Sequence, residues 1–247
     1  LTQPVKLAGM NTLVIMPTYN EALNLEHSVS ELFAHNPSVK LLIVDDNSPD
    51  GTGKIAETLA GSDDRITVMH RKEKSGLAGA YKAGFAWGIE RGFDHLVEMD
   101  ADGSHRAVDL PKLLAVAGAH ELVIGSRWTK GGKVENWPWH RMMLSRWGNV
   151  YAQFMLASRT RDMTAGFRVY KASLLERLDL EHLSARGYSF QVEMTRKSEQ
   201  AHATIIEVPI TFIEREHGVS KMSRSIVIEA MLLVTKLGIK RIFTPSK

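Results

Sequence analysis

Four short apolar runs in the first half of the chain each end in a polar cluster, with helix-period segments between them. Residues 12–16 run into Pro17-Thr18-Tyr19-Asn20-Glu21, and residues 40–44 into Asp45-Asp46-Asn47-Ser48. Residues 96–99 run into Asp100-Ala101-Asp102-Gly103, and residues 122–124 into Gly125-Ser126-Arg127. A further strand is expected at 66–69. Leu25, Val29, Leu32 and Phe33 fall at helical spacing within 22–33, and 54–59 and 78–89 read as further helices. Asp109-Leu110-Pro111 opens another helix, with proline in its first turn. Apolar strands alternating with helices predict an α/β fold whose central, mainly parallel sheet is covered by helices. Ligands of such sheets bind beyond the carboxyl ends of the strands, so this fold would gather the four clusters along one edge.

The second half is less regular. Residues 141–156 are expected to be a helix bearing Met, Trp and Tyr, and 162–168 a loop entering Val169-Tyr170. A helix carrying Glu193 is expected at 188–197, and a long apolar and basic helix at 221–243. Residues 204–213 read as one strand, and Pro209 inside it predicts an edge position. No repeat, low-complexity segment or Pro/Gly/Ser linker divides the chain. The expectation is therefore one domain over 1–247, with a front half at about 10–125 and a rear half at about 126–247.

Charge is distributed unevenly along this length. Residues 127–161 hold seven Lys/Arg against one acid, Glu135, and residues 221–247 hold six against Glu229. Most of the Asp and Glu lie in the first 110 residues. A basic rear half facing an acidic front half points to an anionic ligand or surface, phospholipid or nucleic acid. No basic-aromatic platform or groove-reading helix accompanies it, which argues against nucleic acid. The absence of cysteine excludes a disulfide scaffold, a thiolate metal site and a thiol nucleophile, and fits a reducing compartment. No apolar run reaches the roughly 20 residues that a membrane-spanning helix needs, and the first ten residues do not read as a signal peptide.

Familiar nucleotide loops are missing. Gly51-Thr52-Gly53-Lys54 is followed by Ile55, so it is not a phosphate-binding loop, and Gly76, Gly79 and Gly84 do not make G-x-G-x-x-G. The candidates are instead carboxylates and guanidinium groups. Asp100 and Asp102 can aim at one hard cation, Mg²⁺ or Mn²⁺, shared with phosphates, or can form a solvated turn. Asp46 can accept hydrogen bonds from a ribose or base, or cap a turn. Tyr19 can stack on a base, or pack. Arg127 offers a planar fork of donors to a phosphate, or a salt bridge. Arg141 and Ser145, four residues apart, share a helix face with the same two readings. Arg215 and Lys221 flank His217-Gly218-Val219-Ser220, a loop able to close over a diphosphate.

The ordered set of motifs is more specific than any one of them. It comprises P-T-Y-N-E (17–21), V-D-D-N-S-P-D-G-T (44–52), S-G-L-A-G-A (75–80), M-D-A-D-G-S-H (99–105), G-S-R (125–127), D-M-T-A-G-F-R (162–168), G-Y-S-F-Q-V-E-M (187–194) and G-V-S-K (218–221). From residue 13 to about 221 the chain resembles the family 2 glycosyltransferases of the GT-A fold, and more narrowly the dolichol- or polyprenol-phosphate mannose synthases.

That resemblance implies an inverting, metal-dependent transfer of mannose from GDP-mannose to a polyprenyl or dolichyl phosphate. A relative using UDP-glucose or another donor is the alternative. The resemblance assigns the guanosine part to Pro17, Tyr19, Glu21, Val44 and Asp46, and the ribose-diphosphate and metal to Asp100, Ala101 and Asp102. Asp102 would be the metal ligand, with Asp100 and Ser104 as further candidates. Ser104 stands where some relatives have a metal-binding glutamine. Arg215 and Lys221 would hold the donor diphosphate, and Arg127, Arg141 and Ser145 the lipid phosphate. Asp100, Asp102 and Arg127 form the catalytic set. Such an acceptor implies work at a membrane surface, peripherally on its cytoplasmic face, alone or with a membrane-anchoring partner protein. Residues 226–234 with Lys236, Lys240 and Arg241 fit either an interfacial helix or a core-packed one.

Overall fold

The computed structural model describes residues 10–73, 76–181, 183, 189–215 and 224–243. Seven strands form the main sheet: β1 (Thr12–Thr18), β2 (Lys40–Asp45), β3 (Ile66–His70), β4 (His95–Glu98), β5 (Leu122–Ser126), β7 (Arg168–Lys171) and β8 (Ile205–Pro209). Their order is β3-β2-β1-β4-β7-β5-β8. The expected mainly parallel sheet is present: β3, β2, β1 and β4 run parallel, as do β5 and β8. β7 alone runs antiparallel to both neighbours, β4 and β5. Two reversals leave β5 pointing the same way as β4. The polar clusters after β1, β2, β4 and β5 therefore leave the sheet at the same edge.

Residue alternation explains why these strands read as continuous apolar runs. Val14, Met16, Leu41, Ile43, Val97 and Val123 pack on one face, under α1 (Leu25–His35), α2 (Thr52–Ser62) and α4 (Leu110–Ala117). Leu13, Ile15, Leu42, Val44, Leu96 and Ile124 pack on the other, under α3 (Gly76–Glu90), α6 (Ala172–Arg177) and α7 (Ser189–Gln200). Both faces are buried, as a mainly parallel sheet requires. A third cluster joins α5 (Trp139–Leu156), α7 and α8 (Arg224–Phe243) through Ala152, Leu156, Val192 and Val234.

α3 lies unusually close to the sheet because Gly84 and Gly88 face it. A Cβ on Gly88 would stand 2.4 Å from Leu96 Cδ2 and 2.9 Å from Leu13 Cδ2. Alanine would recover up to about 1 kcal/mol of helix propensity. Overpacking costs about 1–3 kcal/mol, so it outweighs that gain. Gly88→Ala is therefore expected to lower the thermal midpoint by a few degrees in a melt followed by circular dichroism. An unchanged or raised midpoint would contradict this packing.

Three expectations need correction. The single strand at 204–213 is two: β8 forms the sheet edge, where Pro209 can lack a ladder partner, and β9 (Thr211–Ile213) pairs with β6 (Lys133–Glu135) in a separate ribbon. The loop expected at 162–168 ends one residue early: the fully buried Arg168 opens β7, and Val169-Tyr170, which the loop enters, lie on this interior strand. The short helix at 54–59 extends over the whole of α2, from Thr52 to Ser62. The resemblance motif at 218–221 and Lys221 lie outside the described residues, as do Ser75, Gly187 and Tyr188.

Candidate active site

The edge at the ends of β1, β2 and β4 is knitted by backbone. Asp46 N–H donates to the Thr18 carbonyl (3.0 Å) and Met99 N–H to that of Ile15 (3.2 Å). Asn20 and Asn47 both take φ 58°, left-handed values that asparagine tolerates, and turn the two loops outward. Asp45 is the turn acid: its carboxylate accepts Thr18 Oγ1 (2.9 Å), Ser48 Oγ (2.5 Å) and Ser48 N–H (3.1 Å). Asp46 instead meets Arg71, whose Nη1 lies 2.7 Å from Oδ1. Pro17 is half-buried in the last part of β1, Val44 is buried in β2, and Tyr19 is half-buried beyond Thr18. Glu21 is buried; its carbonyl accepts Asn24 and Leu25 N–H (3.0 Å each) and its N–H donates to Thr52 Oγ1 (2.9 Å). It thus starts α1 and ties it to α2.

The acidic loop after β4 is held from three sides. Asp100 N–H donates to His105 Nδ1 (3.0 Å), and Tyr81 OH donates to Asp100 Oδ1 (3.2 Å). The Ala101 carbonyl accepts Ser28 Oγ at 2.8 Å. Gly103, at φ +76° with open space where a Cβ would stand, makes the left-handed turn that brings Ser104 back. Ser104 N–H and Oγ then reach Asp102 Oδ1 at 3.1 and 2.6 Å. His105 stacks on Phe167 (5.1 Å) and meets Phe212 edge-on (5.5 Å). Ile213 N–H donates to the Ser104 carbonyl (3.3 Å), fastening β9 to the loop. Two residues later Arg215 Nη2 lies 3.0 Å from Asp102 Oδ2.

The two acids have different electrostatics. Burial pushes the Asp100 carboxyl above its ordinary range, and the charge of Asp102 adds to this while His105 opposes it. Burial acts the same way on Asp102, but Arg215, Ser104 and His105 outweigh it and hold Asp102 below the usual carboxylate range. Behind them Glu98, at the end of β4, is fully buried; burial pushes it up to about 8 against the opposing charge of Arg168. Asp102 is thus the acid of the loop whose charged form its surroundings favour, and its outer oxygen already faces a positive charge. An ionised carboxylate beside a serine hydroxyl is an oxygen donor set suited to Mg²⁺ or Mn²⁺, with substrate phosphates and water completing the shell. Among the described residues no group of three His, Asp or Glu side chains could hold a metal alone.

The rear cluster lies around the end of β5. A Cβ on Gly132 would stand 2.4 Å from the Ser126 carbonyl, so only glycine lets the loop fold back over Arg127. Arg127 is buried and forked onto Asp162: Nε–Oδ2 is 2.8 Å and Nη2–Oδ1 is 2.6 Å. Nη2 also reaches Thr164 Oγ1 (2.8 Å), which accepts Asn149 Nδ2 (3.1 Å) from α5. Arg141, on the first turn of α5, pairs with Glu214 and lies over Trp137, with Cζ 4.2 Å from the ring centroid. Ser145 is one turn further along, half-buried. Arg127, Arg141 and Ser145 therefore belong to one neighbourhood, in which both guanidinium groups have carboxylate partners.

Sequence reasoning missed Arg71. It follows β3 within His70-Arg71-Lys72, a basic cluster at the same sheet edge, and that was the available signal. Asp162 opens the D-M-T-A-G-F-R motif but drew no role from it, and Glu214 carried no signal, since both pairings depend on the tertiary fold.

Carboxylates at the ends of β1, β2 and β4, with a basic cluster beyond β5, define an α/β enzyme of GT-A-like architecture. Glucosyl-3-phosphoglycerate synthase from Mycobacterium tuberculosis, solved with Mn²⁺, UDP and glucosyl-3-phosphoglycerate, matches with TM-score 0.66 at 18% identity, over 97% of this chain and 82% of that one. The mannosyltransferase PcManGT from Pyrobaculum calidifontis, solved with GDP-Man and Mn²⁺, matches with TM-score 0.58 at 16% identity, over 98% and 78%. The chain belongs to glycosyl transferase family 2, whose model matches residues 13–179. It is 51% identical to the polyprenol monophosphomannose synthase of Mycolicibacterium smegmatis, over 93% of this chain and 87% of that protein. It is 50% identical to the undecaprenyl-phosphate mannosyltransferase of Micrococcus luteus, over 93% and 95%.

Proposed function

We propose that this glycosyltransferase moves mannose from GDP-mannose to the phosphate of a polyprenyl monophosphate, giving the β-linked lipid-phosphate sugar and GDP. The observation that carries the reading is half-identity, over nearly the whole chain, to two relatives named for mannosyl transfer to such lipids. The chain then acts as one catalytic unit, with the donor half in 10–125 and the acceptor half in 126–247.

A phosphomonoester is already largely anionic near neutral pH, because its second pKa is about 6. Its oxygen can attack the anomeric carbon without a protein base. One C–O bond forms as the bond to the GDP oxygen breaks on the opposite face, inverting the carbon. The protein's task is alignment and charge neutralisation. Asp46 and Arg71 receive the nucleoside. Asp102, aided by Ser104, would hold a divalent cation, whose charge would serve to neutralise the leaving diphosphate. Arg215, carried by the strand exit next to Asp102, serves the same diphosphate, and the sequence resemblance gives Lys221 the same role.

The lipid acceptor places the enzyme on a membrane. Among the described residues no helix is long and apolar enough to cross one. α5 exposes Trp139, Met143, Trp147, Val150 and Phe154 along one stripe, and α8 exposes Ile228, Leu232 and Ile239. The helices touch through Tyr151 OH and Thr235 Oγ1 at 2.6 Å, so the stripes lie on neighbouring elements. Lys240 beside them is also exposed. This apolar surface with basic residues suits peripheral seating on the anionic cytoplasmic leaflet. Val234 of α8 is buried, so that helix serves the core as well.

The test is incubation with radiolabelled GDP-mannose, Mg²⁺ or Mn²⁺ and polyprenyl phosphate. Label is expected in the lipid fraction. No transfer, alongside transfer from UDP-glucose, would replace the donor in this proposal.

A further inference from the structure

The guanidinium of Arg127 is ringed by aromatic side chains: Trp128 at 5.7 Å, Trp137 at 5.6 Å and Phe212 at 5.5 Å. Trp137 also meets Arg141 at 4.2 Å, and Trp128 meets Arg146 at 5.0 Å. Buried indole N–H groups nearly always find an acceptor. Here Trp128 Nε1, Trp137 Nε1 and Arg141 Nε are buried donors with no hydrogen-bond partner. Leaving a buried donor unmade is costly, so three in one neighbourhood call for a common physical reason. Asn149 Oδ1 is an unpartnered acceptor at the Arg127 side of the cluster, joined to it through Thr164, and lies about 12 Å along α5 from Arg141.

The chain is shaped to put these donors there. Asn136 takes φ 64°, which turns the exit of β6 into Trp137-Pro138. Pro138 is the N-cap of α5 and offers no side-chain cap, leaving the positive end of an 18-residue helix beside Arg141. Three guanidinium groups here face two carboxylates, Asp162 and Glu214. Unpartnered donors, surplus positive charge and a helix N-terminus together select an anion with several acceptor oxygens.

We infer that Trp137 is a ligand of the acceptor's phosphate: its indole N–H and the Arg141 Nε–H donate to phosphate oxygens, while its ring holds the Arg141 guanidinium in place. This rests on the polyprenyl-phosphate reading above. Phe212, edge-on to Trp137 (5.4 Å) and to His105 (5.5 Å), connects this ligand physically to the loop of Asp100 and Asp102.

The chain has five tryptophans, so its ¹⁵N-indole NMR spectrum holds five side-chain peaks, assignable by single Trp→Phe variants. Titration of the full chain with geranyl monophosphate is expected to move the Trp137 peak saturably, while geraniol leaves it in place. Trp137→Phe keeps the ring and removes the donor. It is expected to raise the acceptor KM about tenfold, with the GDP-mannose KM within twofold, as loss of one hydrogen bond to a charged group implies. A Trp137 peak that stays put while calorimetry registers geranyl phosphate binding overturns the inference and leaves the mannosyltransferase reading intact. An equal response to inorganic phosphate at the same concentration overturns the lipid-headgroup assignment in favour of a free-anion site. No binding of geranyl phosphate by either method overturns both. If the variant fails to fold, the peak shift in the unaltered chain decides.

Discussion

Asp102→Asn is expected to lower the turnover of mannosyl transfer about a thousandfold at saturating donor and acceptor. The change keeps the shape of the side chain and its acceptor for Ser104, but removes the carboxylate of the loop whose charged form Arg215 and Ser104 favour. Metal neutralisation of a leaving diphosphate contributes several kcal/mol to the transition state, and about 4 kcal/mol corresponds to three decades in rate. Asp100→Asn should cost much less. That carboxyl is already pushed toward its neutral form by burial, and its interaction with Tyr81 OH can be kept by an amide oxygen. The measurement is steady-state turnover of both variants over a range of Mn²⁺ concentrations. Partial recovery of the Asp102 variant at high metal is expected, since weakened coordination lowers affinity as well as rate. Turnover of Asp102→Asn within tenfold of the unaltered enzyme, or a larger loss at Asp100, would overturn the assignment of the two acids.

The parts of this site visible in the sequence were those that local pattern determines. Strands β1, β2 and β5 are buried on both faces, so each reads as an apolar run, and the polar residue that ends the run is the residue that reaches the edge. What sequence could not give was pairing. Asp46 and Arg71 meet only because β2 and β3 lie in register, with Asp45 opposite His70. β7 was hidden because its first residue is Arg168, whose guanidinium is buried and satisfied by the Ala165 and Met163 carbonyls, Tyr170 and Thr195, none of which a propensity argument can anticipate. The break between β8 and β9 was signalled by Pro209, but proline alone does not distinguish an edge strand from a change of sheet. That break is functional, because it redirects the chain so that Phe212 and Glu214 face the basic cluster while Arg215 reaches Asp102.

The same limits make Arg127 a test of how structure and function share one residue. Its guanidinium is 8% exposed, and the Asp162 carboxylate it grips is fully buried; Asp162 also accepts the Arg127 backbone N–H at 2.8 Å. Its own N–H and that of Arg161 are bound by Glu207 at 2.9 Å each, so the pair anchors the loop at 162–167 to β8. Removing one member of a buried pair leaves the other charge uncompensated and costs about 3–5 kcal/mol. Asp162→Ala is thus expected to lower the melting temperature by roughly 10 °C, at about 2–4 °C per kcal/mol for a chain of this size. Arg127→Met should do the same, whereas the double variant should be more stable than the sum of the two losses predicts, because it leaves no orphan charge. The double variant then isolates the second role. With the ion pair absent, a raised acceptor KM reports a direct loss of phosphate contact at Arg127, and an unchanged KM makes the residue a brace for Trp137 and Trp128. A drop of less than 2 °C for Asp162→Ala would mean that the buried fork contributes little, and that Arg127 is already poised to leave Asp162 for the acceptor.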